Sequence, residues 1–143
     1  GGEARVLAQS HVELIHKIIE RGEPVNAPCL LLSGGETTVK VRGHGRGGRN
    51  TEYLLGLACQ LRGHPNVYAL AADTDGIDGS GDNAGAVLIP GYWQKAENLG
   101  LNAEKMLENN DSYHYFEALD GLLNTGPTYT NVNDFRAILI LPE

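Results

Sequence analysis

Residues Ser33 to Asn50 read SGGETTVKVRGHGRGGRN, and Thr51 to Arg62 continue as TEYLLGLACQLR. Thr37 to Val41 is β-branched and alternating, which predicts a strand, and a glycine-rich loop follows it. Asn50 is a good helix cap, and Tyr53 to Arg62 carries Leu54, Leu55, Leu57, Ala58 and Leu61 at helical spacing. Gly63 and Pro65 close that helix, and NVYALAA (66–72) then reads as a buried strand ending on DTDGIDG (73–79). A strand, a loop, a helix and a second strand in succession predict an α/β domain with a mixed sheet and helices packed on its faces.

The flanks extend this pattern. Leu7, His11, Leu14, Ile15, Ile18 and Ile19 mark an amphipathic helix over Glu3 to Arg21, ended by Gly22 and Pro24. Pro28 to Ser33 is a short apolar strand. Ala84 to Ile89 is either a strand or a buried helical turn, since the apolar pattern does not separate the two. Short helices are predicted over Tyr92 to Leu99, Ala103 to Asn109 and Ser112 to Leu119, with Asn102 and Asp111 as caps, and FRAILIL (135–141) is the last buried strand.

With 143 residues and 41% hydrophobic content, one core and one domain spanning 1–143 are expected. The formal net charge of -7 argues against a nucleic-acid partner, which needs a clustered basic surface. Only Arg42 to Arg49 is locally cationic, and this suits a small anion. Cys29 and Cys59 lie in apolar contexts and read as reduced core residues. No apolar run approaches the roughly 20 residues of a membrane span, and no signal peptide is evident, so a cytoplasmic protein is expected. The chain starts on Gly1 and its only methionine is Met106, which suggests a piece of something longer.

Three stretches carry candidate chemistry. Gly43, Gly45 and Gly48 match GxGxxG between a predicted strand and a helix, with Asp73 at the end of the next strand, as in a dinucleotide site. Arg46 and Arg49 beside the loop's backbone donors instead suit a transferring phosphoryl group, and a loop with solvated arginines is the third reading. The P-loop pattern is absent. Asp73, Asp75 and Asp78 sit at a strand end, where carboxylates serve Mg²⁺ or a substrate hydroxyl, or simply cap a turn. An EF-hand is excluded by Ile77. Thr125 to Asp134 is dense in hydroxyls and amides that orient a polar ligand or tie down the loop. The histidines read as packing or surface residues, and Ser33 is not in a nucleophile elbow.

Taken together, LLSGGETTVKVRGHGRGGRNTE, AADTDGIDG with DNAGA, and NDSYHYFEALDGLLNTGPTYTNVND resemble the C-terminal domain of the type II glycerate kinase family, known as MOFRL. The resemblance runs from about Leu31 to Leu141; relatives in that family are often labelled hydroxypyruvate reductases. It implies ATP-dependent phosphorylation of D-glycerate at its 2-hydroxyl, with Mg²⁺, in a cleft shared with a larger N-terminal domain that supplies a lysine and an aspartate. That domain is the implied partner, and a homo-oligomer is left open. By resemblance, the family pattern falls on Gly43, Gly45, Gly47, Gly48, Arg49, Asn50 and Glu52, making Arg49 and then Arg46 the charge-stabilising residues. It places Ser33, Gly34, Gly35, Glu36, Gly45, Gly47, Gly48, Asn50, Thr128, Thr130, Asn131 and Asn133 against substrate or nucleotide, and Asp75 and Asp78 against the metal. Tyr129 stands where relatives commonly have glycine. The rival functions are an NAD(P)H-dependent hydroxypyruvate reductase and a non-catalytic anion-binding or regulatory domain.

Overall fold

In a computed structural model, which describes residues 2–79, 82–130 and 133–143, the first apolar stripe becomes helix α1 (Ala4–Arg21). Ala4, Ala8, Val12, Ile15 and Ile18 are its buried face. Gly22 ends it in the left-handed conformation at φ +64°, with its N–H donating to the Ile18 carbonyl, an arrangement that glycine adopts without steric cost. The small residues have a purpose: a Cβ built on Gly56 of α2 (Arg49–Leu61) would come within 2.9 Å of the Ala8 Cβ, so the two helices cross where side chains are absent or minimal.

Helix α2 is the hub. It is buried from Asn50 to Ala58, and it touches α1, the sheet, α4 (Ala103–Glu108) and α5 (Ser112–Ala118). This explains why its sequence is apolar around most of its circumference.

The strands are β1 (Cys29–Gly34), β2 (Val67–Asp73), β3 (Gly85–Leu88), β4 (Leu122–Leu123) and β5 (Asp134–Ile140). Helix α3 (Gly91–Asn98) lies between β3 and α4 in the chain. The strands form one sheet in the order β1-β5-β2-β3-β4, so the last long strand inserts between the first two. Every hydrogen-bonded pair of these strands is antiparallel, and the sole parallel element among the described residues is an isolated bridge, Glu3 to Thr38. The α/β class and single domain expected from the sequence are found. Ala84 to Ile89, ambiguous by pattern, is a strand.

Alternation along β2 and β5 is strict. Val67, Ala69 and Ala71, with Ile138 and Ile140, face the helices. The other sheet face, with Tyr68, Phe135 and Leu139, carries no helix, and Leu30 and Leu32 on β1 are 57% and 62% exposed. The helical layer therefore lies on one side of the sheet.

Two local expectations are corrected. Thr37 to Val41 does not join the sheet. Thr38 instead brackets the start of α1, its N–H donating to the Gly2 carbonyl and its carbonyl accepting from Ala4 N–H, while the Lys40 carbonyl accepts from the Asn110 side chain. Those backbone groups are satisfied elsewhere, and β-propensity is overridden. Asn50 is not the cap of α2, because Gly48 holds that position and Asn50 lies inside the first turn.

His11 on α1 is more than a packing residue. Its Nδ1 is 2.6 Å from the Tyr53 hydroxyl, with the rings edge to face. Burial, assisted by the positive charge of Arg136, holds the imidazole below its ordinary value of 6.5. Folding thus prefers neutral His11, and the stability it contributes is fully present above pH 6.5 and is lost as pH falls through the depressed folded value. Urea unfolding at pH 8 and pH 5 is expected to show a drop in midpoint that His11→Gln reduces; an equal drop in both proteins would refute the assignment.

Candidate active site

The C-terminal end of β1, the end of β2 and the beginning of β5 meet at the start of α2. Asp73 and Asp134 are directly opposed partners in the β2–β5 ladder, so two buried carboxylates stand side by side. Like charges so placed repel strongly unless a cation joins them. Arg49 does so. Its Nε donates to Asp134 Oδ2 at 2.6 Å and its Nη2 to Asp73 Oδ2 at 2.5 Å, with Glu36 Oε1 at 3.7 Å. The Asp73 and Asp134 side chains are 4% and 0% exposed, whereas that of Arg49 is 23% exposed. Its Nη1 has no partner among the described residues, so the guanidinium is anchored from behind and open in front.

The charges follow from this geometry. The hydrogen bond to Asp134 raises Arg49 further above its ordinary value, so it is cationic throughout the working pH range. Burial raises the Asp73 carboxyl; the Asp75 N–H donating to it and the charge of Arg49 oppose the rise, and the Asp75 carboxylate adds to it.

The glycine-rich loop has a different job from the one its motif suggests. The amides of Arg42 and Gly43 donate to Asn110 Oδ1, those of His44 and Gly45 to Asn109, and that of Arg46 to Asp111 Oδ1. The loop is thereby laid onto the junction between α4 and α5. A Cβ on Gly45 would lie 2.3 Å from the Asp111 Cβ, and one on Gly48 would lie 2.7 Å from the Asp78 carbonyl carbon. These glycines permit chain-to-chain contact within the domain. Asp111, expected to cap α5, is used here and on His114 instead, with no side-chain cap bond of its own; Asn102 does cap α4 through Lys105 N–H.

Asp78 takes the place of an anion at the helix start. Its Oδ1 accepts from Asn50 N–H and Nδ2, and its Oδ2 from Thr51 N–H, at 3.0 to 3.2 Å. Helix N-termini bind carboxylates for this reason, and here the carboxylate is internal. Burial raises its pKa, and the hydrogen bonds from Asn50 and Thr51 counter that. Left without a described partner at this end are the amides of Gly47, Gly48 and Arg49. The guanidinium of Arg46 stacks 3.7 Å over the Tyr113 ring, with Asp82 at 3.5 Å.

The dinucleotide reading is overturned by the same facts. The strand expected ahead of the loop is absent, β5 separates β1 from β2, and Asp73, which would have to greet a ribose, is held by Arg49. Among the described residues no parallel strand–helix–strand unit forms.

The remaining predicted residues fall into two groups. Ser33, Gly34 and Gly35 are fastened by Arg136, whose Nε donates to Ser33 Oγ at 3.2 Å and whose Nη2 donates to the Gly34 and Gly35 carbonyls at 2.7 and 3.0 Å. Thr128 ties loop 124–130 to loop 74–79: its hydroxyl donates to the Thr74 carbonyl and its N–H to the Asp75 carbonyl, and Thr130 N–H donates back to it. At Gly76 (φ +91°) a Cβ would meet the Gly126 carbonyl at 2.2 Å, so the loops touch backbone to backbone. The Asn133 carbonyl accepts from Thr74. Asn131 lies outside the described residues. Tyr129 is 97% exposed at φ +59°, a conformation native to the glycine expected there.

Asp134 and Arg136 were not singled out from the sequence. The signal was present: in DFRAILI the two charges fall on the same face as Ile138 and Ile140, and charges on a buried face require partners.

The profile of the MOFRL family matches residues 29–134. The chain belongs to the MOFRL family. A D-glycerate 2-kinase of Thermotoga maritima is 38% identical over 97% of this MOFRL chain and 33% of its own length. An Agrobacterium vitis protein carrying the name "Putative hydroxypyruvate reductase" is 47% identical over 97% of the chain and 32% of its own length. The crystal structure of the Thermotoga maritima glycerate kinase superposes with a TM-score of 0.93 at 38% identity, covering 98% of this chain and 34% of that one. The MOFRL chain thus spans about a third of the length of these relatives. Among its described residues, no helix is long and apolar enough to cross a membrane.

Proposed function

We propose that this MOFRL chain is the smaller part of an ATP-dependent glycerate 2-kinase and forms one wall of its phosphoryl-transfer site. The observation that carries the reading is Arg49: a permanently cationic guanidinium, braced by two buried carboxylates and open on one side, where three motif regions converge. Phosphoryl transfer depends on positioning and on charge stabilisation of the equatorial oxygens, and a braced arginine supplies both without reorganising. Similarity to proteins named as glycerate kinases over nearly the whole chain supports the substrate class.

In this reading the glycerate 2-hydroxyl attacks the γ-phosphorus of ATP, and ADP leaves. Arg49, Arg46 and the amides of Gly47 and Gly48 hold a phosphate or the glycerate carboxylate. Ser33 to Glu36, Asn50, Thr128 and Thr130 shape the wall around them. Magnesium does not fit this chain alone. Asp78 is spent on the amides of α2, Asp73 and Asp134 are spent on Arg49, and no three His, Cys, Asp or Glu side chains among the described residues group as a metal site. Asp75 remains as a single contributor, its carboxylate accepting from Ile77 N–H. A larger N-terminal part of the same polypeptide completes the cleft. We place the enzyme in the cytoplasm, which the unpaired Cys29 and Cys59 support; burial pushes the Cys59 thiol up to about 12, which makes it unreactive.

The test assays the full-length parent with ATP plus D-glycerate and, separately, with NADH plus hydroxypyruvate. ADP formation tied to glycerate phosphorylation, without NADH oxidation, is expected. NADH oxidation without ADP would replace this function with the reductase. The 143-residue chain alone is expected to be inactive, since half a constellation positions nothing, and glycerate phosphorylation by it would refute the one-wall assignment.

A further inference from the structure

The sheet face turned away from the helices carries no charged side chain. Leu30, Leu139 and Tyr68 are ladder partners across β1, β5 and β2, so their side chains share that face. Leu32, Ala137 and Leu70 form the next row, which Val87 on β3 extends. Gly34, Phe135 and Ala72 form the third. The charged residues of these strands, Asp73, Asp134 and Arg136, all lie on the opposite face, because successive residues of a strand alternate.

An antiparallel sheet with one face in water reads apolar inside and polar outside. Here both faces are apolar, although Leu30, Leu32, Tyr68, Phe135 and Leu139 are each more than a third exposed. A contiguous apolar patch of this kind marks a surface that something covers. Because Ala137 is short, the face is dished. A hollow of about 340 Å³ is lined by Ala137, Leu70, Leu30, Leu139, Tyr68 and Ile89.

Shape and charge select the occupant. A second copy seated about the same centre would set hollow against hollow, leaving voids where an interface core needs close packing. A charged surface would lose its water with nothing here to pair it. What fits is a raised, apolar, uncharged surface. The chain spans about a third of the length of its Thermotoga maritima and Agrobacterium vitis relatives, so in those proteins most of the polypeptide lies outside the matched region. The third row also borders the Arg49 site, since Phe135 follows Asp134 and Ala72 precedes Asp73. One body that completes the cleft can therefore cover this face as well.

We propose that this sheet face is the docking surface for the larger N-terminal part, which meets it through a raised apolar surface free of charge. The assignment rests on the reading of the chain as the smaller part of a longer polypeptide, and adds where the two parts join.

Hydroxyl-radical footprinting with mass spectrometry reads side-chain exposure directly. Comparing the full-length parent with the 143-residue chain, Leu30, Leu32, Tyr68, Phe135 and Leu139 are expected to oxidise at least about fivefold more slowly in the parent, as in the buried centre of an interface. Leu32→Lys in the parent, which sets a charge on the edge strand, is expected to restore much of the reactivity at Leu30 and Leu139. Equal oxidation in parent and chain would overturn the docking, as would full protection in Leu32→Lys. Protection in the 143-residue chain that grows with concentration, alongside a dimer in sedimentation, would give the face to a second copy and overturn it too. Should the isolated chain not stay folded, the parent decides alone. With each rate scaled to its value in urea, Leu30 and Leu32 should then match buried Ile15, and rates like that of half-exposed Val6 would overturn the docking. The kinase reading is judged separately: a parent that phosphorylates glycerate with this face open loses only the docking, and one that oxidises NADH with the face protected loses only the kinase.

Discussion

Replacing Arg49 by methionine is expected to destabilise the chain by about 3 to 5 kcal/mol, because it strands Asp73 and Asp134 side by side in the sheet with no cation between them. Methionine retains much of the length and leaves the two carboxylates to repel. The deficit has a characteristic pH dependence. Asp73 already has a raised pKa through burial, and removing the guanidinium raises it further, so the folded variant takes up a proton more readily than the unfolded chain. Stability of the variant relative to the parent should therefore recover as pH falls towards the carboxylate range. Arg49→Lys keeps a charge but not the fork, and regains part of the loss. Urea unfolding of the three proteins at pH 7 and pH 4.5 checks this, and a loss below about 1 kcal/mol at neutral pH would mean that the fork is not what holds the carboxylates together. In the proposed full-length kinase, the rate of phosphoryl transfer should fall by about a thousandfold or more in both variants. A lysine variant that is nearly as stable but equally slow separates charge stabilisation from anchoring; one whose rate stays within threefold removes Arg49 from the chemistry.

The second large effect is expected at Asp78. Asp78→Ala removes the acceptor from Asn50 and Thr51 at once, leaving two buried amides at the positive end of α2. Unmet buried donors cost roughly 1 to 3 kcal/mol each and a lost cap about 1 kcal/mol, so a loss of about 3 kcal/mol or more is expected. Asp78→Asn should lose less. Because burial raises the pKa of Asp78, the fold favours its neutral form, and the amide imitates that form while keeping one acceptor oxygen. The damage should be local in origin, appearing first as faster hydrogen exchange in the first turn of α2. If Asp78→Ala and Asp78→Asn were equally destabilised, the single acceptor oxygen kept by the amide would contribute nothing, and the second carboxylate oxygen or its charge would be what holds the helix start.

Much of the architecture was legible in the order of residues. Helix α1, strands β1, β2 and β5, and the short helices α3, α4 and α5 follow from apolar periodicity and from turn signals, because those patterns encode a one-dimensional choice of which side faces the core. The motif residues were legible as a set of conspicuous glycines, arginines and aspartates. Which of them serve the fold and which face outward was not. The GxGxxG string reads the same whether its amides cradle a ligand or lie on the side chains of Asn109 and Asn110, some 65 residues away in sequence. Asp78 reads the same as a metal ligand or as an internal helix cap. Thr37 to Val41 has strand propensity, but the Thr38 and Lys40 backbone groups pair with Gly2, Ala4 and the Asn110 side chain instead of with a strand of the sheet.

The sequence by itself determined the class of the domain, the identity of its family motifs and the presence of an anionic protein with one cationic loop. Only the tertiary structure decided that Arg49 is braced by Asp73 and Asp134, and that Arg136, unremarked in the chain, reaches Ser33, Gly34 and Gly35. The physical reason is the insertion of β5 between β1 and β2. That pairing joins residues more than sixty positions apart, brings two carboxylates into register, and so requires the arginine that no local pattern could have assigned.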